Sequence, residues 1–192
     1  NNPNLTVVKY AIIVINNLNY SNLLPRLPQL INKDWILRKQ IYILQYIYLK
    51  NEDEQYTLFN HIFNEEDHRI RWEFMLGSMD FEEDIKYTTE NFFNRLIHKN
   101  ESAVNQLIAY FYFALINPSV QLEKLLKYIN ELPEIEQNEL DIIELIALNL
   151  YKTKSKITAD TFISLYEFYT NLQIPKKYYN FFIQGYIDLL ST

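Results

Sequence analysis

The stretch from Asn100 to Leu132 constrains the fold most, because it joins a helix that is apolar almost all round to a helix with a single apolar stripe. It reads NESAVNQLIAYFYFALIN and then PSVQLEKLLKYINEL. Asn117 can cap the second helix with its side-chain oxygen, and Pro118 suits the first helical position, where a missing N–H costs nothing. From Leu107 to Ile116 the first helix has hardly a polar side chain, so other helices must cover it on more than one side.

The second helix of this hairpin is predicted to be amphipathic. Its apolar residues recur at helical spacing, and its polar residues occupy the opposite face. The apolar stripe consists of Val120, Leu122, Leu125, Leu126, Ile129 and Leu132, and the polar face of Glu123, Lys124, Lys127 and Asn130.

Composition favours an all-α fold for the whole chain. With 192 residues and 48% hydrophobic content, the chain can bury one sizeable core, and we predict a single domain over residues 1–192. Two glycines and six prolines leave little turn chemistry for a sandwich or barrel. Because the chain begins with Asn and not Met, we expect a processed form or a piece of a longer protein.

Ten or eleven helices are predicted along the chain. Asp34 and Asn51 are placed to cap helices, and the polar run Asn64–Asp67 predicts a helix boundary. Outside the central hairpin, the main helices are predicted at residues 5–18, 34–50, 51–63, 69–79, 85–98, 140–151, 158–172 and 176–190. The residues predicted to be buried are Trp35, Leu44, Ile47, Trp72, Leu107, Phe111, Leu115, Leu126, Ile143, Ile146, Ile163 and Phe182.

Helices of the apolar type recur at a regular spacing. They start near Asp34, Arg69, Ser102, Glu139 and Lys176, at intervals of 35, 33, 37 and 37 residues. A period of this length, with an inner apolar helix and an outer amphipathic helix in each unit, is typical of α-hairpin solenoids.

Over residues 34–192 this pattern resembles divergent tetratricopeptide-like or HEAT-like repeats. Trp72, followed by Leu76 and Gly77, is similar to the Trp, Leu-Gly signature of the tetratricopeptide repeat, with a spacing from Trp that is one residue longer. The other units lack the small residues of that signature. The resemblance implies a right-handed α-hairpin superhelix that binds a peptide or protein on its concave face, and it transfers no individual binding residue.

Charge is distributed unevenly along the chain, whose formal net charge is −6. Residues 51–90 carry three basic and twelve acidic side chains, whereas residues 1–50 carry six basic and one acidic. An acidic surface repels phosphate backbones, so we expect no nucleic-acid partner and a basic protein partner instead. The candidate partner-binding residues in this region are Asp80, Glu82, Glu83 and Asp84.

The spacing of His61, Glu65 and His68 suggests a metal site as an alternative. On one uninterrupted helix these three side chains would align, and Glu65 and His68 have the Glu-x-x-His spacing of di-metal bundles. No second Glu-x-x-His occurs, and the boundary expected at Asn64–Asp67 would move His61 off the shared face. We therefore predict no cofactor and no metal ligand, and a helical-bundle metalloprotein remains an alternative.

Catalysis and membrane insertion are not expected. The chain has no cysteine, no nucleophile elbow and no glycine-rich phosphate loop, so we predict that it is not an enzyme. The apolar run Val7–Ile15 is far too short to span a membrane, and no signal-peptide pattern is visible.

The last predicted helix, Lys176–Leu190, carries more apolar surface than one neighbouring helix can cover. Its Tyr178, Tyr179, Phe182 and Tyr186 are candidate contacts to a second copy, to a continuation of the chain or to a partner.

From the repeat pattern and the missing catalytic motifs, we predict a non-catalytic protein- or peptide-binding scaffold or regulatory domain. The alternative function is that of an inhibitory or immunity-type protein whose acidic middle covers a basic partner.

Overall fold

All regular structure in the described part of the chain is helical. The computed structural model describes residues 10–11, 14, 34–49, 51–81, 83–98 and 100–150. Within these residues seven full helices and no strand occur: α1 (Trp35–Tyr48), α2 (Glu52–Phe63), α3 (His68–Ser78), α4 (Glu83–His98), α5 (Ala103–Ile116), α6 (Pro118–Glu131) and α7 (Gln137–Leu150). The prediction of an all-α fold is confirmed for these residues, and the helices predicted after residue 151 lie outside them.

Local capping explains where several helices begin. Asp34 Oδ1 accepts the backbone N–H of Leu37 at 2.9 Å, and Asn51 Oδ1 accepts that of Asp53 at 2.8 Å. Asp67 accepts the N–H of Arg69 at 3.1 Å and thereby starts α3. These side-chain acceptors satisfy N–H groups that have no partner inside the helix. The predicted boundary between residues 64 and 67 is confirmed.

Asn117 does not cap α6 as the sequence suggested. Its side chain makes no cap hydrogen bond to that helix, although Pro118 does occupy the first helical turn. The physical reason is that one residue connects two helices: the Asn117 N–H donates to the Phe113 carbonyl of α5 at 2.9 Å. The resulting backbone, with φ −135° and ψ 77°, differs from the extended conformation that a capping side chain needs.

The chain divides into two compact units, residues 1–92 and residues 93–192, and the division falls within α4. In the first unit α1 packs against α2 and α3 around a cluster of aromatic rings. The Phe59 ring lies at its centre, with ring centroids 4.2 Å from Phe92, 4.7 Å from Tyr46 and 5.2 Å from Phe74. The Tyr46 hydroxyl is buried too, and it shares a hydrogen bond of 3.0 Å with Thr89 Oγ1.

Helices α1 and α3 approach each other closely at Gly77. A Cβ atom placed there would lie 3.0 Å from the Cδ1 of Ile43, so a larger residue would force that side chain to move. Trp72, in the same helix, is fully buried. Trp35, which was predicted to be buried, is only partly covered, and the Arg69 guanidinium lies 4.9 Å from the centre of its ring. Its indole ring is therefore at the surface in a cation–π contact and not in the core.

In the second unit α5 packs against both α6 and α7, as its apolar character predicted. The polar face predicted for α6 is confirmed, since Glu123, Lys124, Lys127 and Asn130 are exposed. Val120 was assigned to the apolar stripe but is 50% exposed. It lies in the first turn of α6, beside the end of α5, where Ile116 is exposed as well.

The predicted core is confirmed at most of the described positions. Leu44, Trp72, Leu107, Phe111, Ile143 and Ile146 are buried. Trp35, Ile47, Leu115 and Leu126 are only partly buried, and Ile163 and Phe182 lie outside the described residues. Among the described helices, none combines the length and the apolar character that crossing a membrane requires.

Truncation of Phe111 to alanine tests the placement of α5. The side chain is completely buried, so Phe111→Ala should lower the free energy of unfolding by about 3 to 5 kcal/mol in urea denaturation. Val120→Ala is the matched control at an exposed position of the neighbouring helix and should stay within about 0.5 kcal/mol of the wild type. Equal effects of the two substitutions would contradict the packing of α5.

Candidate functional site

A groove of about 540 Å³ lies between α1 and α2, within the first compact unit. Residues of both helices line it, and the site is open to solvent. On α1 and just after it the lining residues are Tyr42, Gln45 and Leu49, and on α2 they are Asp53, Glu54, Thr57, Leu58 and His61.

Helical periodicity brings these side chains to the same surface. On α2, Glu54, Leu58 and His61 are separated by four and three residues, which places them along one side of the helix. The end of α1 is tied to α2 by the Gln55 amide, whose Nε2 donates to the Leu49 carbonyl at 2.7 Å. Because Gln55 is itself buried, this bond holds the end of α1 against the first turn of α2.

The groove is acidic at the end where α2 begins. Asp53 and Glu54 are exposed, and in the described part of the chain neither carboxylate forms an ion pair. The Asn51 side chain accepts the backbone N–H groups of both residues and so holds this turn in place. Negative charge in the first turn also stabilises the helix through its dipole.

At the other end of the groove three polar side chains form a connected cluster. The Tyr42 hydroxyl donates to Glu65 Oε1 at 2.5 Å and lies 3.2 Å from His61 Nε2. Because the only hydroxyl proton goes to the carboxylate, the N–H on His61 Nε2 is the donor of the second bond. Arg38 Nη2 lies 3.7 Å from the other oxygen of Glu65, so this carboxylate already faces a cation.

The environment of Tyr42 makes it a hydrogen-bond donor and not a base. Burial, together with the hydrogen-bonded Glu65 carboxylate, raises the pKa of the Tyr42 hydroxyl well above the ordinary tyrosine value of about 10. The hydroxyl therefore stays protonated at neutral pH. Through its bonds to Glu65 and His61, Tyr42 holds this end of the groove in place.

The three residues considered for a metal site are separated as the helix boundary predicted. His61 lies near the end of α2, Glu65 lies in the connection, and His68 begins α3. Tyr42 nevertheless brings His61 and Glu65 together by bonding to both, which the sequence did not predict. Among the residues that the structure describes, no group of three or more His, Asp or Glu side chains could hold a metal ion.

Of the residues predicted to bind a partner, only Asp80 has a side chain that the structure describes, and it is not in the groove. Asp80 is exposed in the turn after α3 and is not part of the lining. Glu82 and the side chains of Glu83 and Asp84 lie outside the described residues. The same is true of Tyr178, Tyr179, Phe182 and Tyr186, so the interface predicted for the last helix stays a prediction.

The sequence analysis does not predict the groove, although the sequence contains two signals for it. Tyr42, Gln45 and Leu49 follow helical spacing towards the end of α1. The acidic turn of α2 begins at Glu52, only three residues after Leu49, so a short hairpin must bring the two sides together. The sequence does not show how far apart α1 and α2 lie.

No protein-family model, curated protein or solved structure matches this chain. The resemblance to tetratricopeptide-like or HEAT-like repeats therefore stays a prediction.

Replacing Tyr42 by phenylalanine tests the polar cluster. The substitution removes the donor to the partly buried Glu65 carboxylate and should destabilise the protein by about 1.5 to 3 kcal/mol in chemical denaturation. Tyr48→Phe removes a hydroxyl from the same helix at a partly exposed position and should have little effect. A Tyr42→Phe protein as stable as the wild type would show that the bond to Glu65 is not maintained in solution.

The buried tyrosines predict a loss of stability at alkaline pH. Burial raises the pKa of the Tyr46 hydroxyl, so above about pH 10 the unfolded chain releases a proton that the folded chain keeps. Stability should therefore be constant towards neutral pH and fall as the pH rises above about 10. Tyr46→Phe should make this fall shallower, while phenylalanine at Tyr87, which is 66% exposed, should leave it unchanged. Urea unfolding across this range measures both slopes, and parallel slopes for all three proteins would contradict the prediction.

Proposed function

We propose that this chain is a non-catalytic interaction domain, a scaffold or regulatory module that binds a segment of a protein or peptide in the groove between α1 and α2. The observation that carries the proposal is the combination of apolar and polar lining within one open groove. Leu49 and Leu58 provide apolar surface, and charged or hydrogen-bonding groups stand at both ends. Binding sites of several hundred Å³ with this division of roles are typical of ligand recognition.

We further propose that the helices continue as a right-handed α-hairpin superhelix of the tetratricopeptide-like or HEAT-like kind. Two features support this. The helices that start at Trp35, His68, Ala103 and Gln137 follow one another at 33, 35 and 34 residues. Within the first unit α1 packs on α2 and α3, and within the second α5 packs on α6 and α7, so a helix contacts both the next and the next but one. Repeats of helical hairpins require this order of contacts.

An inhibitory protein that covers a basic partner is the second candidate. It is favoured by the exposed acidic side chains of this region, which include Glu52, Asp53, Glu54, Glu66 and Asp80. The two functions differ in what they need: the inhibitor depends on negative charge over a broad surface, whereas the scaffold depends on the apolar part of the groove. Substitution of Leu58 in the groove and of the exposed acids outside the groove, such as Glu66 and Asp80, therefore separates the two functions.

Selection from a random dodecapeptide library displayed on phage tests the proposed function. The wild-type protein should enrich a defined peptide pattern, and Leu58→Lys should abolish the enrichment by placing a charge on the apolar lining. Asn60→Lys adds the same charge to an exposed position of α2 outside the groove and should preserve it. Thr57→Arg, at an exposed lining position, provides a second blocking variant that does not disturb a buried side chain.

The outcome that contradicts the proposal is equally specific. If enrichment is absent, or if it persists unchanged in both Leu58→Lys and Thr57→Arg, the groove is not a peptide-binding site. Thermal unfolding of each variant shows whether the fold is retained.

A further inference from the structure

We infer that the segment held in the α1/α2 groove presents a cationic side chain, lysine or arginine, to Asp53 and Glu54, and that its apolar part contacts Leu49 and Leu58. This inference rests on the proposed function, because it names the chemistry of the ligand that the same groove binds. It assigns two acidic residues a role in specificity.

The first step is the charge at the start of α2. Asp53 and Glu54 both line the groove and are exposed, and no described residue forms an ion pair with either of them. The surrounding stretch of residues 51–90 carries twelve acidic and three basic side chains. A ligand with positive charge is therefore attracted to this end of the groove, and an acidic ligand is repelled.

The second step is that one kind of side chain fits both parts of the lining. Lysine and arginine have an apolar stem and a charged head, and they place the stem on apolar surface while the head stays near water. Leu49 and Leu58 are partly buried and lie in the same lining as the two carboxylates. A cationic side chain can thus cover the leucines and reach the carboxylates in one conformation.

The third step is the difference between the two ends of the groove. Glu65, next to the far end, accepts the Tyr42 hydroxyl and faces Arg38 at 3.7 Å, so its charge is already compensated. Seven residues of helix separate Glu54 from His61, which corresponds to about 10 Å along the axis of α2. The positive charge of the ligand therefore belongs at the start of α2 and not beside His61.

Fluorescein-labelled dodecapeptide mixtures provide the probe. One central position is fixed as lysine, arginine, norleucine or glutamate, and the other positions are random mixtures of uncharged residues. Fluorescence anisotropy should show that the lysine and arginine mixtures bind about fivefold or more tighter than the norleucine mixture, which has a similar stem and no charge. The glutamate mixture should bind weakest, and the preference for a cation should shrink between about 0.05 M and about 0.5 M salt.

The variant that tests the assignment is the double substitution Asp53→Asn with Glu54→Gln. It keeps the size and hydrogen-bonding capacity of both side chains, and it should make the lysine, arginine and norleucine mixtures bind alike. Glu52→Gln removes a neighbouring charge from the same helical turn without changing the lining, so it controls for the helix dipole. This variant should retain the preference.

Each outcome decides between the two proposals. If norleucine binds as well as lysine, or if the preference survives the double substitution, the inference of a cationic ligand is wrong. Should binding in that case still be abolished by Leu58→Lys and Thr57→Arg, the proposed peptide-binding function would stand without it. If none of the mixtures binds in a way that depends on these two groove positions, both proposals are overturned.

Discussion

The packing of the Phe59 ring is the interaction on which the first compact unit depends. This one side chain of α2 contacts rings from α1, α3 and α4, at Tyr46, Phe74 and Phe92. Edge-to-face and offset-stacked ring pairs have preferred geometries, so the position of Phe59 limits how three other helices can be arranged around it. Leu58, its neighbour in the chain, lies about 100° further around the helix and lines the groove. The groove is thus the outer side of an arrangement that the aromatic core determines.

Two tyrosines on α1 add polar specificity to that apolar core. Tyr42 and Tyr46 are one helical turn apart and both are buried, and each hydroxyl has a partner at a defined place: Glu65 for the first and Thr89 for the second. A buried hydroxyl without a partner is costly, so shifted arrangements of α1 that break these bonds are disfavoured. The same bonds orient the groove, since Tyr42 belongs to its lining. Core packing and the shape of the candidate site therefore depend on the same helix.

The sequence predicts the helices well because the signals for their ends are local. Asp34 and Asn51 act within three residues of their own position, and no other part of the chain is needed to interpret them. Asn117 shows where this reasoning fails: its backbone also ends α5, and that second role determines its conformation. The prediction that Trp35 is buried in the core is wrong because a large apolar ring can also be covered by a cation at the surface. The groove could not be predicted because it is defined by the distance between α1 and α2, and no residue taken alone reports that distance.

The acidic turn at the start of α2 has two physical roles that need separate explanations. The helix dipole accounts for negative charge in the first turn, and Glu52, Asp53 and Glu54 all contribute to that effect. The dipole is directed along the helix axis, so it does not distinguish one side of the helix from another. Glu52 meets the same electrostatic requirement without lining the groove, whereas Asp53 and Glu54 do line it. Helix stability therefore explains why this turn is acidic but not which of its charges line the groove, and two lining charges are what the cationic ligand proposed for the groove requires.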